Sequence, residues 1–305
     1  MIGEKLQKYL FNHPLAGDVD GISVGFIDFS NNNFEAFSFI SSNEKLISSD
    51  TEYFYDLASV TKPLTIGFIQ FIEPNILNKD NTLLLNHQSG IPSWGLLSRN
   101  NYREQIMSYE IKKSSTLYSD FGAIRAQLEF ENKTNKNLYN ECAKYWDKEV
   151  CHWSVVDKSR CLKTGERSYK PIVGDVHDPN AWTIKEEVTH AGLFSTLGGL
   201  CSTLLNLEKN FSITSYFKEK IENERPERFI NAWDRAIDKS STLAGSLCSD
   251  YTVGHLGFTG TSFWIDCEAK RGVAILSNCT RDGWYNKKNL NEVRRALGNL
   301  YWEMK

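Results

Sequence analysis

The two ends of the chain carry hydrophobic patterns typical of β-strands. Residues 21–29 are β-branched and aromatic, and the polar run at residues 30–33 separates them from a second apolar segment at residues 34–40. A polar break between two short apolar runs favours a turn, so the pattern predicts two antiparallel strands. Near the C-terminus, residues 261–266 and 272–277 flank a short polar stretch and predict another hairpin.

Between these ends the spacing of apolar residues is helical. From about Lys62 to Leu207 they recur at mixed three- and four-residue intervals, most clearly in residues 64–72, 121–130 and 193–207. A further amphipathic helix is predicted at residues 288–302. The middle of the chain is therefore predicted to be mainly helical.

Strands at both termini with helices between them predict an α/β (α+β) protein in which both ends of the chain build one antiparallel sheet. We expect residues 1–60 and 240–305 to form this sheet domain with flanking terminal helices. Residues 61–239 are then a mainly helical insertion. Ligand sites favour such junctions, so we place the active site between the two parts.

Composition and charge exclude several classes of protein. The 305 residues are 41% hydrophobic and 24% charged, which is enough for a large buried core and excludes disorder. The net charge of −3 and the lack of a long Lys/Arg run argue against a nucleic-acid partner. No window approaches the roughly 18 apolar residues that span a bilayer, and the first ten residues do not resemble a signal peptide. We therefore expect no membrane partner.

Seven cysteines are widely spaced, and none forms a Cys-x-x-Cys pair. An odd number at such spacing is typical of free thiols in a reducing compartment. The sequence therefore predicts a cytoplasmic protein.

The first candidate for chemistry is the Ser-x-x-Lys sequence formed by Ser59 and Lys62. Three-residue spacing puts a hydroxyl and an amine on one face of a helical turn, where the hydroxyl can attack and the amine can move its proton. Ser42 and Ser215 begin the same pattern, but only Ser59 lies between an apolar turn and an apolar helix. The alternative is that Ser59 merely caps that helix.

Two further segments bring polar groups and glycines together. Tyr118, Ser119 and Asp120 place a phenol, a hydroxyl and a carboxylate just before a predicted helix. Their alternative role is a helix cap with a core tyrosine. Residues 254–260 hold three glycines that run into a strand and allow close approach to a ligand; alternatively they form a glycine-rich edge strand.

In this order, the three segments resemble those of the serine hydrolases of the class C β-lactamase, D,D-peptidase and family VIII esterase group. In that family, Ser-x-x-Lys, Tyr-Ser/Ala-Asn/Asp and Lys/His-x-Gly motifs converge on one cleft. The resemblance also covers the leucine-rich residues 83–92 and the segment from His190 to Thr196. It implies a fold like that of β-lactamases and penicillin-binding transpeptidases.

The resemblance implies that Ser59 is the nucleophile. A serine hydroxyl needs a base, and Lys62 and Tyr118, with ordinary pKa values of about 10, can share this role if burial disfavours the ammonium. The sequence leaves open which of them holds the proton. The backbone N–H groups of Ser59 and Phe258 are the expected oxyanion hole. Substrate binding is implied for four residues: Asp120, His255, Gly257 and Thr259.

The chain departs from the family pattern at two positions. His255 stands where class C β-lactamases have lysine, and Leu256 stands where the family usually has a hydroxyl residue. Both changes weaken the expected grip on a substrate carboxylate, because histidine is mostly neutral at pH 7. If His255 faces the cleft, its charge should change between about pH 5.5 and 7.5, and KM for a carboxylate-bearing substrate should rise over that interval. No Glu-x-x-Leu-Asn sequence occurs, so a tyrosine-assisted mechanism is preferred, and β-lactamase activity is expected to be weak or absent.

A histidine-containing loop at residues 174–181 resembles a loop in one branch of the family. His177, Asp178 and His190 are conceivable zinc ligands, but they lack the His-Glu-x-x-His spacing of a helical metal site. No metal or organic cofactor is expected. The tryptophans of the middle region are expected in the core; they are Trp94, Trp153 and Trp182.

The sequence therefore predicts a serine hydrolase that forms an acyl-enzyme at Ser59. Its substrate is expected to be a small molecule or peptide, cleaved at an ester or a D-amino-acid-type amide. The alternative is a catalytically silent relative that binds a peptidoglycan fragment as a sensor. Retention of Ser59, Lys62 and Tyr118 argues against that alternative, and the short chain argues mildly for it.

Overall fold

The computed structural model describes residues 2–283 and 286–304. An eight-stranded antiparallel sheet is its largest element, with the strand order β3-β2-β1-β13-β12-β11-β10-β9. Strands β4, β8 and β5 form a small second sheet, and β6 pairs with β7. In chain order the strands are β1 (Gly21–Asp28), β2 (Asn33–Ser42), β3 (Lys45–Ser48), β4 (Tyr55–Asp56), β5 (Val150–His152), β6 (Lys163–Arg167), β7 (Lys170–Val173), β8 (Leu193–Ser195), β9 (Phe229–Ile230), β10 (Trp233–Arg235), β11 (Thr252–Leu256), β12 (Ser262–Asp266) and β13 (Arg271–Ser277).

Helices lie on both faces of the large sheet. In chain order they are α1 (Ile2–Phe11), α2 (Thr61–Leu64), α3 (Ile69–Ile72), α4 (Lys79–Leu85), α5 (Tyr102–Ser108), α6 (Asp120–Thr134), α7 (Leu138–Ala143), α8 (Pro179–Ile184), α9 (Leu197–Phe211), α10 (Ile213–Glu224) and α11 (Lys288–Trp302). No helix within the described ranges has the length and apolar character needed to cross a bilayer.

The central strand β1 is buried along almost its whole length. Its side chains alternate between the two faces of the sheet. Val24 packs with the terminal helices α1 and α11. On the other face, Gly25 lets α9 approach, because a Cβ there would lie 2.6 Å from Cys201 Sγ. Cover on both faces explains why this strand has a continuous apolar sequence.

Both predicted hairpins are present. Strand β1 pairs with β2, and β12 pairs with β13, in antiparallel register. The predicted helices at 121–130 and 288–302 correspond to α6 and α11. The predicted fold class, an antiparallel sheet with terminal helices and a mainly helical middle region, is confirmed. The large sheet also takes two short strands, β9 and β10, from within the range 61–239.

The helix predicted at residues 64–72 is broken. Helix α2 ends at Leu64, a short 3₁₀ turn follows, and α3 begins at Ile69. Pro63 has no N–H to donate, and Thr65 leaves helical geometry while its hydroxyl donates to Thr61 O at 2.8 Å. Local hydroxyl bonding therefore competes with the helix that the apolar spacing predicts.

The helix predicted at residues 193–207 begins later than expected. Residues 193–195 form β8, which pairs with β4 immediately before the candidate nucleophile. Thr196 then caps α9, its side chain accepting the Gly199 N–H at 3.1 Å. The apolar residues of β8 thus belong to a strand that pairs with β4 and holds the segment before Ser59 in place.

Candidate active site

Ser59 lies on a tight turn between β4 and α2. The preceding residue, Ala58, has φ = 46°, a left-handed conformation that is unfavourable for a residue with a Cβ. The Ser59 hydroxyl does not cap the helix. Instead it accepts a hydrogen bond from Lys62 Nζ at 3.1 Å, so the capping alternative is not supported.

Lys62 is fully buried, and its ammonium group has three partners. Besides Ser59, Nζ donates to Asp120 Oδ1 at 2.7 Å and to His190 O at 2.9 Å. Burial alone lowers the pKa of Lys62, but the charge of Asp120, together with Tyr118 and the hydrogen bonds to both, outweighs burial and holds that pKa above its usual value. The condition under which Lys62 would share the role of base, that burial disfavours its ammonium form, is therefore not met in the unliganded protein.

Tyr118 is half-buried beside Lys62, whose Nζ lies 4.8 Å from the centre of its ring. Its hydroxyl is buried close to Lys62 and Ser59 but makes no hydrogen bond of normal geometry among the described residues. Burial raises the pKa of Tyr118, and the Lys62 cation partly offsets this effect. The phenol is therefore neutral at pH 7 and available to a ligand.

The residues after Tyr118 begin helix α6. Ser119 is the cap, since its side-chain oxygen accepts the Gly122 N–H at 2.8 Å, as its alternative role predicted. Asp120, expected to bind substrate, lines a cavity beside Ser59 and forms the ion pair with Lys62, and one-fifth of its side chain is exposed. The Tyr-Ser-Asp motif thus supplies one cleft hydroxyl, one helix cap and one counter-ion.

The glycine-rich segment brings β11 against the Ser59 turn. A Cβ on Gly257 would lie 2.5 Å from Leu57 O and still closer to Thr261 Oγ1, so only glycine permits this approach. Gly257 and Phe258 line one cavity together with Ser59. The structure therefore places the third motif beside the first, as the resemblance implied.

Thr259 does not line the cleft. It is fully buried, and its hydroxyl donates to Asp56 O at 2.6 Å. The prediction that Thr259 binds substrate is therefore wrong, because its hydroxyl is used to tie the Phe258 turn to the strand before Ser59.

His255 is buried, with 3% of its surface exposed. Its Nδ1 donates to Leu256 O at 2.9 Å, which leaves Nε2 as a buried acceptor without a partner among the described residues. Burial, helped by the Lys62 charge, lowers the pKa of His255 to about 3. The expected change of charge between pH 5.5 and 7.5 is therefore wrong.

The sequence did not predict that cationic side chains line one wall of a cavity beside Ser59. A cavity of about 340 Å³ next to Ser59 is lined by Arg228, Lys287 and Arg294. Arg228 is paired with Asp234 at 2.9 Å, but within the described ranges no carboxylate lies within 4.0 Å of Lys287 or Arg294. Lys287 immediately precedes α11 and Arg294 lies on it, about thirty residues after the third motif. Only the fold brings them to the site.

A second cavity, of about 440 Å³, lies on another side of Ser59. Trp94 and Phe258 line it and are 47% and 42% exposed, so the prediction that Trp94 lies in the core is wrong. Trp153 is buried as expected, and Trp182 packs partly buried against the core. The exposed aromatic rings give this cavity a largely apolar entrance.

His177, Asp178 and His190 form part of the wall of the larger cavity. His190 Nε2 lies 2.8 Å from Asp178 Oδ1, which also accepts the Ala181 N–H. Burial alone raises the pKa of Asp178, but His190 and these hydrogen bonds together lower it to about 2.

Among the described residues, no group of three or more histidine, cysteine or acidic side chains is arranged to hold a metal ion. All seven cysteines are free thiols.

Comparisons with known proteins identify the fold. No family model matches the sequence, and no curated protein matches it. A penicillin-binding protein homologue from Pyrococcus abyssi, described as octameric, has 18% identity and a TM-score of 0.66, over 98% of this chain and 77% of that one. A β-lactamase/D-alanine carboxypeptidase from Pseudomonas syringae has 12% identity and a TM-score of 0.65, over 99% and 97%. A mutant simvastatin synthase from Aspergillus terreus has 14% identity and a TM-score of 0.65, over 99% and 98%. The chain therefore has the serine β-lactamase-like fold, as its motifs implied.

Proposed function

We propose that this protein is a serine hydrolase that forms an acyl-enzyme at Ser59. The observation that carries this proposal is the position of the Ser59 hydroxyl, 3.1 Å from the ammonium of a fully buried Lys62 and beside the buried hydroxyl of Tyr118. Ser59 and Tyr118 also line both cavities. A nucleophile between two cavities has room for the two parts of a substrate on either side of a scissile bond.

In this mechanism the Ser59 oxygen attacks the substrate carbonyl, and the Tyr118 oxygen takes the Ser59 proton only as it passes its own phenolic proton to the leaving group. Lys62 stays protonated beside Asp120, and its charge stabilises the negative charge that develops on the Tyr118 oxygen during this proton transfer. The backbone N–H groups of Ser59 and Phe258 stabilise the oxyanion. The ester or amide bond then breaks, the leaving group takes the proton from Tyr118, and water releases the acid from Ser59.

The substrate is an ester or a D-amino-acid-type amide that carries an anionic group. Lys287 and Arg294 supply the positive charge that His255 lacks, because neither has a carboxylate partner among the described residues. Burial lowers the pKa of Lys287 to about 8, so its charge is largely retained at pH 7. We expect weak or absent β-lactamase activity. The free thiols support a cytoplasmic location.

A second candidate function is binding without turnover, as in a sensor of peptidoglycan fragments. The observation that favours it is that Lys62 and Tyr118 both hold their protons at neutral pH in the unliganded site. A protein with no group ready to accept the Ser59 proton can bind a ligand without reacting with it.

Covalent labelling separates these two functions. We expect a fluorophosphonate to transfer its phosphonyl group to Ser59 with loss of fluoride, and Ser59→Ala to abolish both labelling and ester hydrolysis while the protein stays folded. Intact-protein mass spectrometry measures the adduct. Ser42→Ala and Ser215→Ala are matched controls and should be labelled like the wild type. Unchanged hydrolysis by Ser59→Ala would exclude Ser59 as the nucleophile, and an unlabelled, inactive wild type would favour the sensor.

A further inference from the structure

Asp56 connects three segments that form the cleft. Its Oδ1 accepts the Ala58 N–H at 2.8 Å, and its Oδ2 accepts the His177 N–H at 2.7 Å. Its backbone carbonyl accepts the Thr259 hydroxyl at 2.6 Å. One residue therefore holds the Ser59 turn, the loop that lines the larger cavity and the turn that carries Phe258.

The Ser59 turn depends on such support. Ala58 is in the left-handed region at φ = 46°, and backbone in that region persists only where its surroundings hold it. Asp56 is 1% exposed, so bulk water cannot replace its hydrogen bonds. Loss of either bond would leave a buried N–H without its acceptor and allow the Ser59 turn to move relative to the cavity loop.

We propose that Asp56 is a positioning residue whose ionised carboxylate fixes Ser59 for attack, an inference that rests on the proposed role of Ser59. Asp56 does not line either cavity and acts only through the backbone of the turn. Both of its oxygens must accept a hydrogen bond. A protonated carboxyl group has one oxygen that carries a proton, so it no longer offers two good acceptors. Reactivity of Ser59 should therefore fall when Asp56 takes up a proton.

Asp56 should take up its proton at a pH at which the labelling rate can be measured. Burial raises the pKa of Asp56 to about 6, although both backbone hydrogen bonds oppose the shift. Of the charged neighbours, Asp178 raises this pKa and Arg167 lowers it. Three other titratable neighbours, His177, Tyr139 and Cys161, are uncharged at pH 6 to 7, because burial shifts each pKa away from the charged form.

The test is the rate at which a fluorophosphonate labels Ser59 between pH 5 and 7.5, with folding monitored at each pH by near-ultraviolet circular dichroism. The wild-type rate should fall about tenfold towards pH 5, with a midpoint near pH 6. In Asp56→Asn, the side-chain amide offers one acceptor and one donor and serves only one of the two N–H groups. Its labelling at pH 7.5 should be about 100-fold slower, because small displacements of a nucleophile have effects of that size. In Asp56→Asn, the decrease in labelling rate between pH 7.5 and pH 5 should be absent.

Asp28→Asn is the matched control. Asp28 also accepts two backbone N–H groups, those of Ser30 and Asn31, but at the exposed β1–β2 hairpin. This variant should keep the wild-type rate and pH profile.

An Asp56→Asn variant that keeps the wild-type rate and pH profile overturns the proposed role. If that variant does not fold, the wild type decides: a constant labelling rate from pH 7.5 to 5 in folded protein overturns it equally. A role in stability alone would lower the unfolding temperature without removing the acid limb from the labelling profile. A wild type that is never labelled at Ser59 overturns the proposed function, and this role with it.

Discussion

At the scale of single residues, the most consequential contact is the ion pair between Lys62 and Asp120. The lysine side chain is fully buried, whereas one-fifth of the Asp120 side chain is exposed. A buried charge that loses its partner cannot regain hydration. The pair therefore has a structural role in addition to the chemistry proposed for Lys62.

Asp120→Asn should lower the free energy of unfolding by about 3 kcal/mol, as is typical when one partner of a buried pair is removed. Urea denaturation measures the change. The control is Glu224→Gln, which removes the carboxylate from an exposed i,i+4 pair with Lys220 at 2.6 Å and should cost about 0.5 kcal/mol or less. Equal, small effects of both substitutions would show that Lys62 does not need Asp120 to stay in the folded protein.

The three residues proposed to be catalytic, Ser59, Lys62 and Tyr118, show how much of the site can be predicted from single residues. Their types and order on the chain predict that they share a cleft, and the structure brings them together. The protonation of Lys62 was not predictable, because it depends on how closely Asp120 approaches an amine that is itself completely buried. Asp56 was also missed, since its role comes from backbone N–H groups that no sequence pattern reveals.

At the scale of elements, the approach of β11 to the Ser59 turn depends on Gly257. We expect Gly257→Ala to reduce Ser59 labelling severely, because the new methyl group would lie 2.5 Å from a backbone oxygen, Leu57 O, that has little freedom to move. Gly17→Ala is the matched control, since a Cβ there meets no atom within 4 Å. Wild-type labelling by Gly257→Ala would mean that β11 is not needed close to the nucleophile.

Elements were predictable where local pattern and tertiary setting agree. The hairpins β1–β2 and β12–β13 and the helix α11 follow directly from alternation, turn residues and helical spacing. Residues 193–195 were misassigned to a helix, because three apolar residues suit a buried strand equally well and only pairing with β4 decides between them. In the same way, α11 was predictable as an amphipathic helix, but not as the source of a cationic cleft wall.

At the scale of the whole molecule, histidine burial links stability to pH. Burial lowers the pKa of five of the six histidines; they are His13, His87, His152, His177 and His255. The effect is largest where the ring is most enclosed, as in His87 and His255. Each of the five is neutral in the folded protein at a pH at which the unfolded chain has already taken up a proton.

Stability should therefore fall as the pH drops below about 6.5. A histidine whose folded pKa lies below its unfolded value contributes stability that is present above the unfolded pKa and is lost as the pH falls through the interval between the two. At about 1.4 kcal/mol per pH unit, His255, whose pKa is about 3, should withdraw about 2 kcal/mol by pH 5, and His87 should act in the same direction. Asp56 changes stability in the opposite direction, because its raised pKa favours the folded state as the pH falls. Its single contribution is opposed by those of the five histidines.

Urea denaturation at pH 7.5, 6.5 and 5.5 measures this dependence, and His255→Gln should make it shallower. Glutamine carries an amide that can donate to Leu256 O but takes up no proton over this range. The variant should therefore lose less stability than the wild type between pH 7.5 and 5.5, whatever its stability at pH 7.5. If its pH dependence equals that of the wild type, His255 is not held neutral by its burial. The cleft would then carry a titrating charge beside Tyr118, and this charge would add to those of Lys287 and Arg294 in the proposed binding of an anionic substrate.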